Sequence, residues 1–505
     1  MSHYERLSAL DAAFLEIETP SCHMHFAAVL VFEARSLTLP HGGIDFERIR
    51  RHLEAGVHYV PRYRQRIEYI PLQHHPVWVD DDAFHINYHV RHAAVPRPGT
   101  PEQLNRLVGR ILAQKLDRSR PLWELYVIEG LADDRFAIVA KVHHCMVDGL
   151  AGVNVMSVWL RSEPEATHVE APHVAPAGSW SPRPAPSRTE LLTDELRRRK
   201  VRVSQILERL GQIKDDPQRA LDQLKDKASS VLSTVGAGIV PVSRTPLNPA
   251  QIGAYRRFDS FRVELAATKR VARTLGATIN DVVLATVAGA VRSFLQQQRV
   301  EPEQLDFRVL SPVSRRSADD RDKLGNRISL LLVRLPIEQP TPIARLRAVA
   351  AITQAAKRSR QVAGGEVLES LGEGATAGML SQAIRLGGRL RAYNLVVTNV
   401  PGPQLPLYLL GARLLDVHPV VPLYLGQALG LAIFSYDGML FWGLHADWNA
   451  LPQLGELTAL LQQEFAALVA AADAREAEGA AGAGVAAVPT GGPGVSVATD
   501  AAGGA

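Results

Sequence analysis

The sequence predicts a mixed α/β protein built of two α/β domains joined by a connector. Three observations carry this. Strand-like and helix-like apolar patterns alternate through residues 1–162, and they alternate again through residues 250–471. Between these blocks, residues 163–249 open with six prolines before residue 188 and show no apolar periodicity there, a linker composition. A length of 505 residues suits two or three domains, and 46% hydrophobic against 21% charged residues excludes a chain dominated by disorder.

Each element follows from its local pattern. Residues 26–32 (FAAVLVF) read as a buried strand and residues 46–53 as the start of a helix. Residues 103–116 form an amphipathic helix, with Leu104, Leu107, Ile111, Leu112 and Leu116 on one stripe. Residues 123–128 and 136–142 are neighbouring strands turned at Asp133-Asp134. In the connector, residues 189–235 read as helical, because Leu192, Leu196, Val203, Ile206, Leu207, Leu210 and Ile213 recur at helical spacing. Arg197, Arg198, Arg199, Lys200 and Arg202 crowd that stretch. It is either a surface helix over the domain junction or an interfacial helix that touches anionic membrane.

The second block predicts a helix over 280–297 and strands over 307–310, 328–335 and 395–399. Residues 417–436 hold no Asp, Glu, Lys or Arg, but Pro419, Pro422, Gly426 and Gly430 would damage a spanning helix. Asp437-Gly438 before a second apolar run makes buried hairpin strands the better reading. A helix over 454–471 closes the domain. Residues 472–505 are Ala/Gly-rich with no core pattern and are expected to be disordered.

Lys+Arg of 56 against Asp+Glu of 52 leaves only +4, which argues against a nucleic-acid binder. Two distant cysteines, Cys22 and Cys145, make no disulfide framework, so a reducing compartment is expected. The first residues lack the apolar run of a signal peptide, and a cytoplasmic location is the expectation.

The chemistry concentrates in the segment Lys141-Val-His-His-Cys-Met-Val-Asp-Gly149, at the end of a strand. Adjacent histidines on a strand point to opposite faces, so His143 and His144 cannot both pack inward. Asp148 follows His144 by four residues, and Gly149 permits a tight turn after it. Diverging histidines make a poor metal site, and no HExxH or CxxC spacing supports one. No Gly-x-Ser-x-Gly elbow, Walker loop or dinucleotide fingerprint occurs. Cys145 as a nucleophile would need a hydrogen bond to its own strand neighbour His144. What remains is histidine as a lone general base. That suits acyl transfer from an already activated thioester to a hydroxyl, because only a proton has to be removed as attack proceeds.

His143-His144-x-x-x-Asp148-Gly149 resembles the active-site motif of the histidine-dependent acyl-CoA acyltransferases. Further segments are similar, in order, to those of the bacterial wax ester synthase/diacylglycerol acyltransferase family. They are the opening LSALDAAFL at residues 7–15 with Met24-His25, Arg120-Pro-Leu-Trp-Glu124, Asn280-Asp281, Ser311-Pro-Val-Ser314, Leu324-Gly-Asn326 and Asn399-Val-Pro-Gly-Pro403. The resemblance covers roughly residues 4–470. It implies two chloramphenicol-acetyltransferase-like domains, with the active site and a tunnel between them. It implies His144 as general base, His143 as a positioning residue, and Asp148 bracing the loop through Arg62, Arg64 or Arg66. Gly149, Trp123, Asn280, Asp281, Thr398 and Asn399 are the further substrate-site candidates. Trp123 has core packing as its alternative, and Asn280 and Asp281 have helix capping. The resemblance offers Thr398 or Asn399 as the oxyanion donor.

The resemblance further implies acyl-CoA as co-substrate with no metal or prosthetic group. Diacylglycerol is the first acceptor and a long-chain fatty alcohol the second. Contact with an anionic membrane or lipid-droplet surface would be peripheral. A non-catalytic lipid-surface scaffold and a condensation enzyme using carrier-protein thioesters are the competing readings.

Overall fold

The structure, a computed structural model, describes residues 4–146, 158–164, 180–198, 241–314, 328–362, 381–382 and 392–485. The first half supplies β1 (Glu5–Arg6), β2 (His25–Glu33), β3 (Gln65–Tyr69), β4 (Pro76–Asp80), β5 (Val90–Ala94), β6 (Trp123–Leu131) and β7 (Arg135–His143). The second half supplies β8 (Arg256–Glu264), β9 (Arg308–Ser314), β10 (Ile328–Arg334), β11 (Leu395–Pro401), β12 (Tyr408–Leu409), β13 (Ala412–Val420), β14 (Leu429–Tyr436) and β15 (Met439–Asp447). They form two six-stranded sheets, ordered β12-β13-β2-β7-β6-β5 and β10-β9-β11-β14-β15-β8, and a small sheet ordered β1-β4-β3.

The order of the first sheet departs from a simple split of the chain at residue 250. β12 and β13 belong to the second half by sequence, yet β13 pairs with β2. The charge-free run over 417–436 is therefore not one unit. Its start finishes β13 in the first sheet, and its end is β14 in the second. Asp437 and Gly438 turn β14 into β15 with Tyr436 opposite Met439, and both turn residues have positive φ (43° and 77°). That is the two-residue hairpin the Asp-Gly pair predicts.

Side-chain alternation makes this hairpin serve two cores. Leu429, Leu431, Ile433, Leu440, Trp442 and Leu444 pack with the helix Ile279–Gln297 and its neighbours. Phe434, Tyr436 and Phe441 point the other way and join Phe32, Phe136 and Trp123. The halves also meet where glycine is required. A Cβ on Gly443 would stand 1.8 Å from the Pro419 carbonyl oxygen, and one on Gly109 would stand 2.7 Å from that of Arg256.

The helix Pro101–Ala113 covers the face of the first sheet formed by Ala27, Val29, Val31, Ala137 and Val139. It starts two residues before the predicted 103, because Thr100 caps it, Gln103 completes a capping box and Pro101 takes the first turn. It stops at Ala113, short of the predicted 116. There the buried Lys141 donates to the carbonyls of Ile111 and Gln114. The three-stranded sheet, β8, most of β13 and the helices Ala9–Ile17, Leu265–Thr274 and Pro342–Val362 lie beyond what periodicity indicated.

The end of the chain corrects an expectation. The last helix runs Leu454–Val485, so residues 472–485 are helical rather than disordered. They are alanine-rich, and alanine is the best helix former, so the turn begun on Leu457, Leu461 and Leu468 propagates. Asp473 pairs with Arg270 at 2.9 Å, and Thr274 donates to Glu476. Residues 486–505 lie outside the described residues. In the connector, a helix over 188–198 begins at a Ser187/Glu190 capping box, and its Leu191 packs on Ile70, Val77 and Val79 of the small sheet. The predicted continuation to 235, with Arg199, Lys200 and Arg202, is outside the described residues. Among the described residues no single helix is long and apolar enough to cross a membrane.

Candidate active site

β7 ends at His143, and His144–Met146 form a single 3-10 turn. The two histidines do diverge. His143 lies opposite His25 in the β2–β7 register and is fully buried, on the strand face that carries Lys141. His144 leaves the strand with its backbone N–H donating 2.8 Å to the Met24 carbonyl. Its ring stacks on Phe14 at 4.0 Å and meets Phe26 edge-on at 6.0 Å. It is half-buried. Burial holds its pKa below the ordinary histidine value, with only its own backbone carbonyl opposing. His144 is therefore uncharged at neutral pH, and an uncharged imidazole can accept a proton.

His143 is fixed by different contacts. The Cys145 backbone N–H donates 3.2 Å to its Nδ1, with the thiol sulfur also 3.0 Å away. An accepting Nδ1 places the ring proton on Nε2, which faces Glu18 Oε1 at 3.8 Å. Burial pushes the His143 pKa down to about 3 even though Glu18 opposes it. Burial also raises the Cys145 thiol well above its ordinary value, which leaves it no thiolate to act as nucleophile.

Glu18 was not among the residues singled out from the sequence. It caps the helix Ala9–Ile17, and its side chain is 1% exposed. Arg118 binds its Oε2 with Nη2 at 2.6 Å and Nε at 3.1 Å, and Lys115 reaches it at 3.2 Å. Burial alone would raise the carboxyl, but His143, Arg118 and Lys115 outweigh it and hold the pKa below the usual value. The available signal was spacing. Phe14 and Glu18 are four apart, so one helix face addresses both histidines, Phe14 touching His144 and Glu18 facing His143.

The other candidates scatter. Trp123 is a core residue. It is fully buried, its indole N–H donates 2.8 Å to the Tyr63 carbonyl, and its ring stacks on His89 at 4.5 Å. No surface of it is left to touch a substrate. Asp281 is a capping residue whose carboxylate accepts from Thr278 and Thr353, both in the second half. The N-cap itself is Thr278, and Asn280 sits half-buried in the first turn. Thr398 and Asn399 are half-buried on β11 and point to opposite faces. Asn399 shares its face with Val397 of the second core, and Thr398 shares its face with Val400, which packs against the first. Asp148 and Gly149 lie outside the described residues. Of the three arginines offered to Asp148, Arg62 binds Glu5 at 2.7 Å and Arg66 binds Glu68 at 2.6 Å. Arg64 is buried, contacts His58 and stacks over Trp180, with no carboxylate within ion-pair reach among the described residues.

The family profile of the wax ester synthase/diacylglycerol acyltransferase catalytic domain matches residues 7–283, and that of the WS/DGAT C-terminal domain matches residues 324–469. The chain belongs to this family. A Mycobacterium tuberculosis H37Rv protein named "probable diacylglycerol O-acyltransferase tgs1" is 33% identical over 484 residues, covering 93% of this chain and 97% of that one. The wax ester synthase/diacylglycerol acyltransferase of Marinobacter aquaeolei VT8 superposes with a TM-score of 0.64 at 25% identity, covering 93% of this chain and all of that one. The starter condensation domain of rhizomide synthetase shares the fold alone, with a TM-score of 0.53 at 15% identity over 93% of this chain and 95% of that one. The protein is thus an acyltransferase with the two-domain fold that its sequence motifs imply.

Proposed function

We propose that the protein moves a long-chain acyl group from acyl-CoA to the hydroxyl of diacylglycerol, forming triacylglycerol, with a long-chain fatty alcohol as second acceptor. The observation that carries this is His144. It is an uncharged, half-buried imidazole at a strand end, walled by Phe14 and Phe26. An apolar wall suits a lipid alcohol, and a neutral imidazole suits removal of its proton. Nδ1 of the ring is buried with no hydrogen-bond partner among the described residues, and we take Nε2 as the nitrogen that accepts the proton. The hydroxyl oxygen attacks the thioester carbonyl as Nε2 takes its proton. The tetrahedral intermediate then collapses to ester and CoA thiol, with that proton passing to the departing sulfur. The thioester is already activated, so the route needs no covalent enzyme intermediate, metal or prosthetic group.

His143 and Glu18 are positioning residues. The Glu18 carboxylate faces the Nε2 side of His143 at 3.8 Å, and His143 accepts the Cys145 N–H in the turn that presents His144. Arg64 is the arginine we assign to Asp148, because Arg62 and Arg66 already face Glu5 and Glu68. Thr398 is the better placed of the two oxyanion donors, since its face of β11 turns toward the first half. The mycobacterial relative's name supports diacylglycerol as first acceptor, and the name of the Marinobacter enzyme supports both. Such acceptors are barely soluble in water, so the protein works in the cytoplasm, peripherally attached to a membrane or lipid-droplet surface.

The test is to incubate purified protein with palmitoyl-CoA and a panel of alcohols and to identify the esters. Triacylglycerol from diacylglycerol, with wax ester in second place, is the expected result. No ester from any lipid alcohol would overturn the reading, and would favour a scaffold or a carrier-protein condensation enzyme instead.

A further inference from the structure

The small sheet β1-β4-β3 turns at its far end through a hairpin, Pro71-Leu72-Gln73-His74, that projects from the first half. Leu72 at its tip is 87% exposed, the largest exposure of any bulky apolar side chain among the described residues. Its φ is +66°, a left-handed conformation that turns normally fill with glycine, asparagine or aspartate. Leucine there serves neither the turn nor the core. Tyr69, at the base of the same hairpin, is also exposed.

A second element stands beside this tip. Arg6 donates from Nη1 to Glu195 at 2.9 Å and from Nη2 to Gln73 at 3.0 Å, so one guanidinium ties the helix over 188–198 to the hairpin turn. The tie brings the neighbours of those two residues, Leu196 and Leu72, to one side of the molecule. Leu196 is 58% exposed. The carboxylates of this helix turn are occupied inward, Glu195 by Arg6 and Asp194 by the Tyr4 hydroxyl. Arg197 and Arg198 are exposed, with no carboxylate in ion-pair reach among the described residues. Apolar tips flanked by outward cations complement a surface with anionic head groups over an apolar interior. The site is close. The helix Ala9–Ile17 starts just after β1 and carries Phe14 to His144, with about 9 Å of helix axis between Ser8 and Phe14.

We propose that the β3–β4 hairpin tip and the end of the helix over 188–198 form one docking surface for an anionic lipid surface, with Leu72 and Leu196 entering it and Arg197 and Arg198 meeting its head groups. This rests on the reading of the protein as an enzyme of lipid alcohols, but its test does not depend on turnover. Flotation of the full chain with vesicles of phosphatidylcholine, or of phosphatidylcholine with phosphatidylglycerol, measures binding without substrate. The parent should bind the anionic vesicles and lose them as salt rises. Leu72→Asn suits the left-handed turn and should not disturb folding; it should weaken binding roughly tenfold. Arg197→Gln with Arg198→Gln should weaken it roughly thirtyfold at low salt. Esterification of a detergent-dispersed alcohol should be unchanged in both variants. Parent-like vesicle binding by Leu72→Asn, or no binding by the parent, overturns the docking surface and leaves the enzymatic reading standing. Lost binding in the variants with no ester formed by the parent keeps the surface and overturns the enzymatic reading.

Discussion

Acid should unfold this protein well before its carboxylates titrate. His143, His445 and His89 are each buried, and burial pushes their pKa values down to about 3, about 3 and about 4. His445 and His89 direct Nδ1 to the backbone carbonyls of Val421 and Trp123 at 2.7 and 2.8 Å, which the neutral ring satisfies. In the unfolded chain the same rings take a proton near pH 6.5. Between these values the unfolded state binds more protons, so stability rises with pH and falls as pH drops below about 6.5. Each ring contributes up to about 1.4 kcal/mol per pH unit as pH falls below 6.5, so the three together cost about 5 kcal/mol between pH 6.5 and 5. A domain's whole stability is about 5–15 kcal/mol. Asp80, held at about 2 by the Arg183 guanidinium, takes effect only at far lower pH. Urea midpoints across pH 7.5 to 4.5 would show the fall, and His445→Gln should flatten it. A urea midpoint that stays level from pH 7.5 to 5 would refute the reasoning.

Three further outcomes follow from named contacts. Glu18→Gln keeps the side chain's size but removes the charge beside His143, and should lower kcat roughly tenfold with little change in melting, since Arg118 and Lys115 can turn to solvent; undiminished kcat would remove Glu18 from the site. Gly443→Ala forces a Cβ onto the Pro419 carbonyl and should destabilise by about 1–3 kcal/mol in urea unfolding, and a parental midpoint would contradict the close packing of the two sheets. Truncation after Val485 should leave melting and turnover unchanged, whereas truncation after Ala472 deletes the partners of Arg270 and Thr274 and should lower stability by about 1 kcal/mol without loss of activity.

The strongly periodic elements were legible in the sequence. The strand ending at His143, its partner β6, the helix Ile279–Gln297 and the Asp437-Gly438 hairpin stand where apolar pattern and turn chemistry put them. What escaped was non-local. No local pattern states that β13 leaves the second half to pair with β2, because its residues only need a half-buried edge of matching length. Trp123 shows the same limit: sequence places it near the histidines, but only packing reveals that Tyr63 and His89 consume its indole. Glu18 was hidden because a glutamate at a helix end ordinarily faces water, and only the fold brings Arg118 and His143 onto it from residues more than 90 positions away. Beyond Ala472 the helix through Val485 leaves no apolar stripe, because alanine is too small to mark a core face even though it is the best helix former.

The central claim is that His144 takes the acceptor's proton. The most direct measurement is ester formation by His144→Ala from palmitoyl-CoA and diacylglycerol, beside His143→Ala, with near-UV circular dichroism confirming that both fold. Loss of a general base typically costs about 10²–10⁴-fold, so His144→Ala should nearly abolish turnover while His143→Ala, a positioning change, costs less. Parental turnover in a folded His144→Ala variant, or a greater loss in His143→Ala, would contradict the account.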